Sequence, residues 1–375
     1  MSGEYAIRGY RPTDREAYLD LFATVFDGAP GSEWFAWKYE RNPYVDDVPI
    51  VVAETGGEIV GARSFFALEM ETGSGRVPIL QPCDTMVHPD HRRCGLFTRM
   101  TEAAIDGYRG SDVPFFFNYP NANSMSGNLK LGWRVVGSSP TAYRIQRPER
   151  YVAGRLPAVV DRLVGATANR SAAAYHWVRR RVARTGEAPS DVAIERRSTL
   201  PAEELASIDD HTYNGTFRPA KTKTFYEWRF ENPEWDYDAY LARRNGDYVA
   251  GFVVGSRKTA RGTTVQFTDV TPQSGADPSV IARLADRVLA DRATATTVVC
   301  ATERLPPEVR AAFGFHSDDA FPLSRMSRPA TLVVRPIGPQ DRKGGDLREE
   351  DWTVDGARLD DPTNWSISLS DRDWC

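Results

Sequence analysis

The stretch Asp84-Thr85-Met86-Val87-His88-Pro89-Asp90-His91-Arg92-Arg93-Cys94-Gly95-Leu96-Phe97 holds the residue pattern best suited to chemistry in this chain. The run Gln81 to Val87 reads as a strand. Met100, Ala103, Ala104 and Tyr108 follow with helical spacing, so the loop between delivers the chain into a helix N-terminus. Successive N–H groups in such a turn make a concave site of positive potential, and Gly95 lets the main chain approach an anion closely. Arg92 and Arg93 can add charge-assisted contacts to phosphate oxygens. The loop therefore suits a pyrophosphate; an ordinary turn with solvated arginines is the plain alternative. His88 and His91 have metal-ligand spacing, but Pro89 lies between them and no third ligand is evident, so no metal is expected. Cys94 sits where a helix start lowers a thiol pKa, yet no His–Asp arrangement makes it a nucleophile, and it reads as a loop residue.

The elements around this loop form a mixed α/β unit. Tyr5–Arg11 reads as a strand, and Pro12-Thr13-Asp14 opens an amphipathic helix with Tyr18, Leu21, Phe22 and Val25 on one face. Trp34 to Tyr39 is a short helix stopped by Asn42-Pro43. Ile50–Glu54 and Ile59–Phe66 are strands around a Gly56-Gly57 turn. After the loop come an apolar strand at Val113–Asn118, a helix at Asn121–Leu131 and a closing strand at Trp133–Ile145. The Arg-rich stretch from Arg147 to Glu187 reads as a solvated helix packed between domains.

The second half echoes the first. Trp37-Lys38-Tyr39 before Asn42-Pro43 reappears as Trp228-Arg229-Phe230 before Asn232-Pro233, Gly61 as Gly251, Asp84 as Asp269, and Leu131-Gly132-Trp133 as Phe313-Gly314-Phe315. Matches in this order, with a slowly shrinking offset, indicate a tandem duplication. The expected organisation is a domain over 1–146, a helical linker over 147–190, a second domain over 191–334, and a tail over 335–375 with a final alternating strand near Asn364–Leu369. That strand would cross the first domain and bring Trp365 or the C-terminal carboxylate near its cleft, with packing against the surface as the alternative.

Val87-His88-Pro89 followed by Arg92-x-x-Gly95 resembles the acyl-CoA motif of the GNAT superfamily of N-acyltransferases, and Asn121-x-x-Ser124 with Lys130-Leu131-Gly132-Trp133 resembles that family's later motif. The resemblance covers about residues 4–146. It reaches 191–334 only through the repeat, where Thr271-Pro272-Gln273-Ser274-Gly275 has no Arg-x-x-Gly loop. It implies tandem GNAT folds, each a mostly antiparallel mixed sheet flanked by helices, with only the first copy binding CoA. The backbone and side chains of Met86, Val87, Arg92, Arg93, Cys94, Gly95, Leu96, Phe97, Asn121 and Ser124 would hold acetyl-CoA as co-substrate, although Phe97 departs from the family's small residue there. By the same resemblance the reaction is direct transfer to an amine. It needs positioning, a base for the ammonium proton and stabilisation of the oxyanion. Asp84 is the candidate base, with a solvent relay as its rival and a purely structural carboxylate as the plain reading. The family's thiolate-protonating Tyr falls at Asn128, which has no titratable proton; nearby Tyr119 is a candidate substitute. The expected acceptor is a small-molecule amine, an amino sugar among them. The rivals are a noncatalytic CoA-binding scaffold and a FemX-like aminoacyl transferase, which should lack the Arg92–Gly95 loop.

Composition bounds the rest. With 47 basic and 51 acidic residues, a net charge of −4 offers no basic field for wholesale nucleic-acid binding. The scattered Cys83, Cys94, Cys300 and Cys375 form no disulfide framework or zinc pattern, and no apolar run of spanning length occurs, so a cytoplasmic location is expected. Oligomeric state has no signature.

Overall fold

The computed structural model describes residues 4–26, 28, 30–152, 158–182, 191–209, 217–338 and 347–373. The chain opens with β1 (Ala6–Gly9) and α1 (Arg15–Val25); α2 (Ser32–Phe35) then runs into one widened helical turn, Ala36–Glu40, marked by the bond from the Arg41 N–H to the Ala36 carbonyl. The strands β2 (Ile50–Thr55), β3 (Glu58–Thr72) and β4 (Gly75–Val87) form an antiparallel meander. Next come α3 (Leu96–Tyr108), β5 (Phe115–Asn118), α4 (Ala122–Lys130), β6 (Arg134–Ser139) and β7 (Thr141–Ile145). After α5 (Glu149–Val152) and α6 (Ala158–Val182), the second half runs β8 (Val192–Arg197), α7 (Ala202–Asp209), β9 (Arg218–Pro219), α8 (Lys223–Arg229), β10 (Asp236–Arg244), β11 (Asp247–Thr259) and β12 (Gly262–Thr271). It continues with α9 (Pro278–Asp291), β13 (Thr297–Ala301), α10 (Pro307–Phe313), β14 (His316–Ser317) and β15 (Ala330–Pro336), and a small ribbon of β16 (Thr353–Val354) and β17 (Ala357–Arg358) follows.

Two sheets result, flanked by helices in a mixed α/β fold. Their strand orders are β1-β2-β3-β4-β5-β15-β6, with β9 on the far end of β3, and β14-β7-β13-β12-β11-β10-β8. Reversing the second order superimposes the two halves, except that β15 and β7 have changed places. Each sheet takes its sixth strand from the other half, antiparallel on both sides. The single closing strand expected over 133–145 is therefore two, belonging to different sheets. Pro140 breaks it, because a proline lacks the N–H that a ladder needs. The expected unit boundaries at 146 and 334 fall beside β7 and within β15, so a chain cut at either place separates a strand from the half it completes.

The duplication persists in the irregularities. The ladder between β3 and β4 slips between Ala62 and Ser64, and the ladder between β11 and β12 slips between Val253 and Val254. The first puts a bulge at Asp84 and Thr85, the second at Thr268, next to the repeated aspartate Asp269. At the contact between halves, Trp37 and Trp228 stack with ring centroids 6.0 Å apart, and each indole N–H donates to the other's main-chain carbonyl at 2.9 Å. This is an isologous contact made within one chain. Trp37→Phe keeps an aromatic ring but removes the indole donor, leaving the Trp228 carbonyl with the Glu231 N–H at 3.1 Å. A loss of about 0.5–1.5 kcal/mol is expected in denaturant unfolding, with a loss of the same order for Trp228→Phe; no measurable change for both would mean the reciprocal bonds contribute nothing.

The long helix does not lie between the halves. α6 packs on α10, with the Tyr175 hydroxyl bonded to His316 at 2.8 Å and Arg180 paired with Asp286, so it belongs to the second half. Residues 153–157 and 183–190 of the expected linker lie outside the described residues. No helix among the described residues is long and apolar enough to cross a membrane. The tail is not a regular strand at 364–369. It makes one bridge, Trp365 to Phe217, with the Ser366 N–H donating to the Phe217 carbonyl, while the hydroxyls of Ser366, Ser368 and Ser370 bond to Arg304, Asp269 and Lys221. Trp365 is buried against Phe115, Phe117 and Phe217. The C-terminal carboxylate of Cys375 lies outside the described residues.

Candidate active site

β4 and β5 run parallel and share one register pair, Leu80 with Phe116. Beyond it they diverge, and a cleft of about 940 Å³ opens between Pro82–Val87 on one side and Asn118–Asn121 on the other. The pleat sorts what reaches it. On β3, Ser64 and Phe66 face the helices that precede β2, where they meet Tyr18 and Trp37; Arg63 and Phe65 face α3 and α4, where they meet Asn128 and Tyr108.

The bulge on β4 breaks this alternation to a purpose. Asp84 has φ +39°, a left-handed conformation that costs a non-glycine residue of order 1–3 kcal/mol. In exchange Cys83 and Asp84 both face Tyr39, whose hydroxyl lies 3.5 Å from the Cys83 Sγ and donates to the Asp84 Oδ2 at 2.5 Å. The Lys38 Nζ donates to the same oxygen at 2.6 Å and lies 3.7 Å from the Asp373 Oδ2. The widened turn Ala36–Glu40 brings Lys38 and Tyr39 to one carboxylate. Asp373 arrives from the far end of the chain, its N–H held by the Gln81 Oε1 at 2.7 Å. Burial opposes charge on Lys38, but Asp84, Cys83 and Asp373 together hold its pKa above the ordinary value. Burial pushes the Tyr39 phenol well up. Burial also pushes Asp373 up to about 6, against the pull of Lys38.

The second half closes the corresponding place. Asp269 again meets a lysine and a tyrosine, Lys221 and Tyr226, but Ser368, Ser370 and Asp371 of the tail fill the remaining positions, and Asp269 and Lys221 are fully buried. Arg229, which stands where Lys38 stands in the first half, donates to the carbonyls of Ser370 and Arg372. The tail thus plugs one site and supplies Asp373 to the other.

On the opposite face, Arg63 is 1% exposed, donates to the Thr85 Oγ1 at 2.6 Å and the Asn128 Oδ1 at 3.1 Å, and is pulled by burial down to about 10. The cleft continues to the start of α3. There Arg93 and Gly95 are left-handed, at φ +64° and +72°, and among the described residues the N–H groups of Arg93, Cys94 and Gly95 have no acceptor within the chain. Successive free amides with alternating handedness make an anion cradle. A Cβ built on Gly95 would meet nothing within 4 Å.

Residues 6–136 match the family described as acetyltransferase (GNAT) domain. They are a GNAT domain. The GNAT fold extends over both halves: a GCN5-related N-acetyltransferase from Anabaena variabilis covers 89% of this chain and 73% of its own at 11% identity and a TM-score of 0.57. A GCN5-related N-acetyltransferase from Kribbella flavida covers 89% and 71% at 16% identity and 0.54. Eis1 from Mycobacterium abscessus covers 89% and 74% at 14% identity and 0.51. At these identities the likeness is one of fold. No curated protein matches.

Of the residues anticipated from sequence, the GNAT cleft brings together Asp84, Val87, Arg92, Phe97, Tyr119, Asn121 and Ser124. Arg93, Cys94 and Gly95 are exposed in the loop beside it, so any contact they make with a ligand there runs through backbone and charge. Met86 and Leu96 point into the core. The Asn121 side chain caps α4 by accepting from the N–H groups of Asn123 and Ser124, and the Ser124 hydroxyl folds back onto it. Asn128 is fully buried behind Arg63. Burial pushes the Tyr119 phenol up to about 12, with the Arg372 guanidinium 4.8 Å from its ring. Phe97 is accommodated by a glycine: any Cβ at Gly127 of α4 would come within 2.5 Å of its ring. Lys38, Tyr39, Arg63 and Asp373 were not anticipated as site residues.

Proposed function

We propose that the first half is an acetyl-CoA-dependent N-acetyltransferase that acylates a small-molecule amine, amino sugars among them, by direct transfer in a ternary complex. The observation that carries this is the pairing, across one splayed sheet, of an anion cradle on the α3 side with a carboxylate cluster on the other. The pyrophosphate of acetyl-CoA suits the free amides of 93–95 and Arg92. The pantetheine arm suits the open edge of β4 and the buried Asn118 Oδ1, which has no partner among the described residues. The acceptor would come from the face of Asp84 and Asp373, whose negative charge favours an ammonium group. Asp373, its carboxyl pushed up to about 6, first takes the ammonium proton and passes it to solvent; the free amine then attacks the thioester carbon, and Asp373 takes the second nitrogen proton as the adduct collapses, with Lys38 and Tyr39 holding Asp84 in place beside it. A cytoplasmic setting would supply the donor.

Thermal unfolding across an acetyl-CoA titration, followed by an amine panel, tests the reading. Acetyl-CoA at 100 times its Kd should add about 2.7 kcal/mol, and at least one amine should be acylated. No saturable rise would sink the donor assignment. A rise with no product from any amine would favour the noncatalytic scaffold, for which Asn128, lacking a titratable proton, already speaks.

A further inference from the structure

Arg63 is a buried cation without a counter-charge. Among the described residues no carboxylate forms an ion pair with it; its two bonded partners, the Thr85 hydroxyl and the Asn128 amide oxygen, are neutral, and its Nε is buried with no acceptor. Leaving a guanidinium in that state is costly unless an anion joins it. The group lines the cleft. Its place there is specific: it lies on the α3 and α4 face of β3, its guanidinium 5.0 Å from the Phe97 ring centroid, beside Thr85 at the bulge. It therefore stands between the anion cradle at the start of α3 and the Asp84–Lys38–Asp373 cluster on the other face.

Given the acyl-CoA reading above, on which this inference rests, the reaction makes one anion on the donor side of the sheet. When the amine adds to the thioester carbon and the tetrahedral adduct collapses, the C–S bond breaks and its electron pair goes to sulfur, while the nitrogen's proton goes to the carboxylate on the opposite face. The pyrophosphate is already matched by the loop amides. We propose that Arg63 is the charge partner of the departing CoA thiolate. It keeps all its protons and stabilises the sulfur anion electrostatically, in water-poor surroundings, where Asn128 has no proton to give. The product leaves as the thiolate or takes a proton from solvent afterwards.

The test compares binding of CoA with that of desulfo-CoA from about pH 6 to about pH 9, a range that spans the ordinary thiol pKa near 8.5. In the wild type, CoA is expected to gain at least tenfold over desulfo-CoA as its thiol ionises, with the bound thiol titrating a unit or more below the free one. Arg63→Gln should erase that gain and lower kcat by about 10²-fold, and Arg63→Lys should recover part of both. Equal pH dependence for CoA and desulfo-CoA in the wild type would overturn the proposal without requiring any variant to fold, as would an unchanged bound-thiol pKa in a folded Arg63→Gln. If the wild type binds neither ligand, the acyl-CoA reading itself fails and takes this assignment with it.

Discussion

Gly95→Glu is expected to abolish the saturable stabilisation by acetyl-CoA while leaving a folded protein. Gly95 is the left-handed residue from which α3 springs, and space beyond its Cα is open to 4 Å. The fold loses only the strain of placing a side chain at positive φ, about 1–2 kcal/mol. The anion cradle loses much more. A carboxylate at that point competes for the same free amides of 93–95 and repels the pyrophosphate, and helix N-termini accept one anion as readily as another. Gly95→Ala separates the two effects, since it carries the strain without the charge; it should unfold slightly earlier than the wild type and still respond to acetyl-CoA. A folded Gly95→Glu protein that kept its affinity within about tenfold would show that the donor does not use this loop.

The loop leading into α3 was legible because it is contiguous. Fourteen consecutive residues from Asp84 to Phe97 contain the strand end, the arginines and the glycine, and the left-handed turn at Gly95 follows from its type, although those at Asp84 and Arg93 do not. The repeat was legible as well, through Trp37 and Trp228, although nothing in the sequence says that the two indoles touch. The exchange of β7 and β15 left no local trace beyond Pro140. A strand's sheet is decided by its partners, and Thr141–Ile145 finds its own partner more than 150 residues away, at Thr297–Ala301. The Asp84 face of the cleft was the least legible. Lys38 stands alone among aromatic residues in Trp34–Tyr39, and Arg63 alone in the apolar run Ile59–Phe66. Each is a charge in a stretch that reads as core, the one signal available for a buried functional cation. Asp373 had none, because only the return of the tail between the halves brings it to Lys38.

That return underlies the last expectation. Asp373→Asn should lower kcat by about 10²–10⁴-fold, the range for losing a positioned base, with little change in acetyl-CoA affinity, since the site proposed for the donor is on the other face of the sheet. The pH profile should name the group. With its carboxyl pushed up to about 6, Asp373 is protonated and unable to accept a proton below that pH, so the wild-type rate should rise as pH passes 6, and the variant should lose that limb. Stability moves in the opposite sense. Because the folded pKa lies above the ordinary 3.8, the native state binds the proton more tightly than the unfolded chain. The resulting stability is fully present below about pH 4 and is lost as pH rises through 6. A carboxamide in its place does not ionise, so the variant should not show that decline. An inactive protein that also unfolded early at neutral pH would point to a structural role, whereas an acid limb retained in Asp373→Asn would move the base to Asp84. The combination of a slower, flat-profile enzyme with an undiminished midpoint is the signature of a base delivered by the tail, and it gives the plugging of the second site a reason: Asp371 anchors the segment in one half so that Asp373 is held in the other.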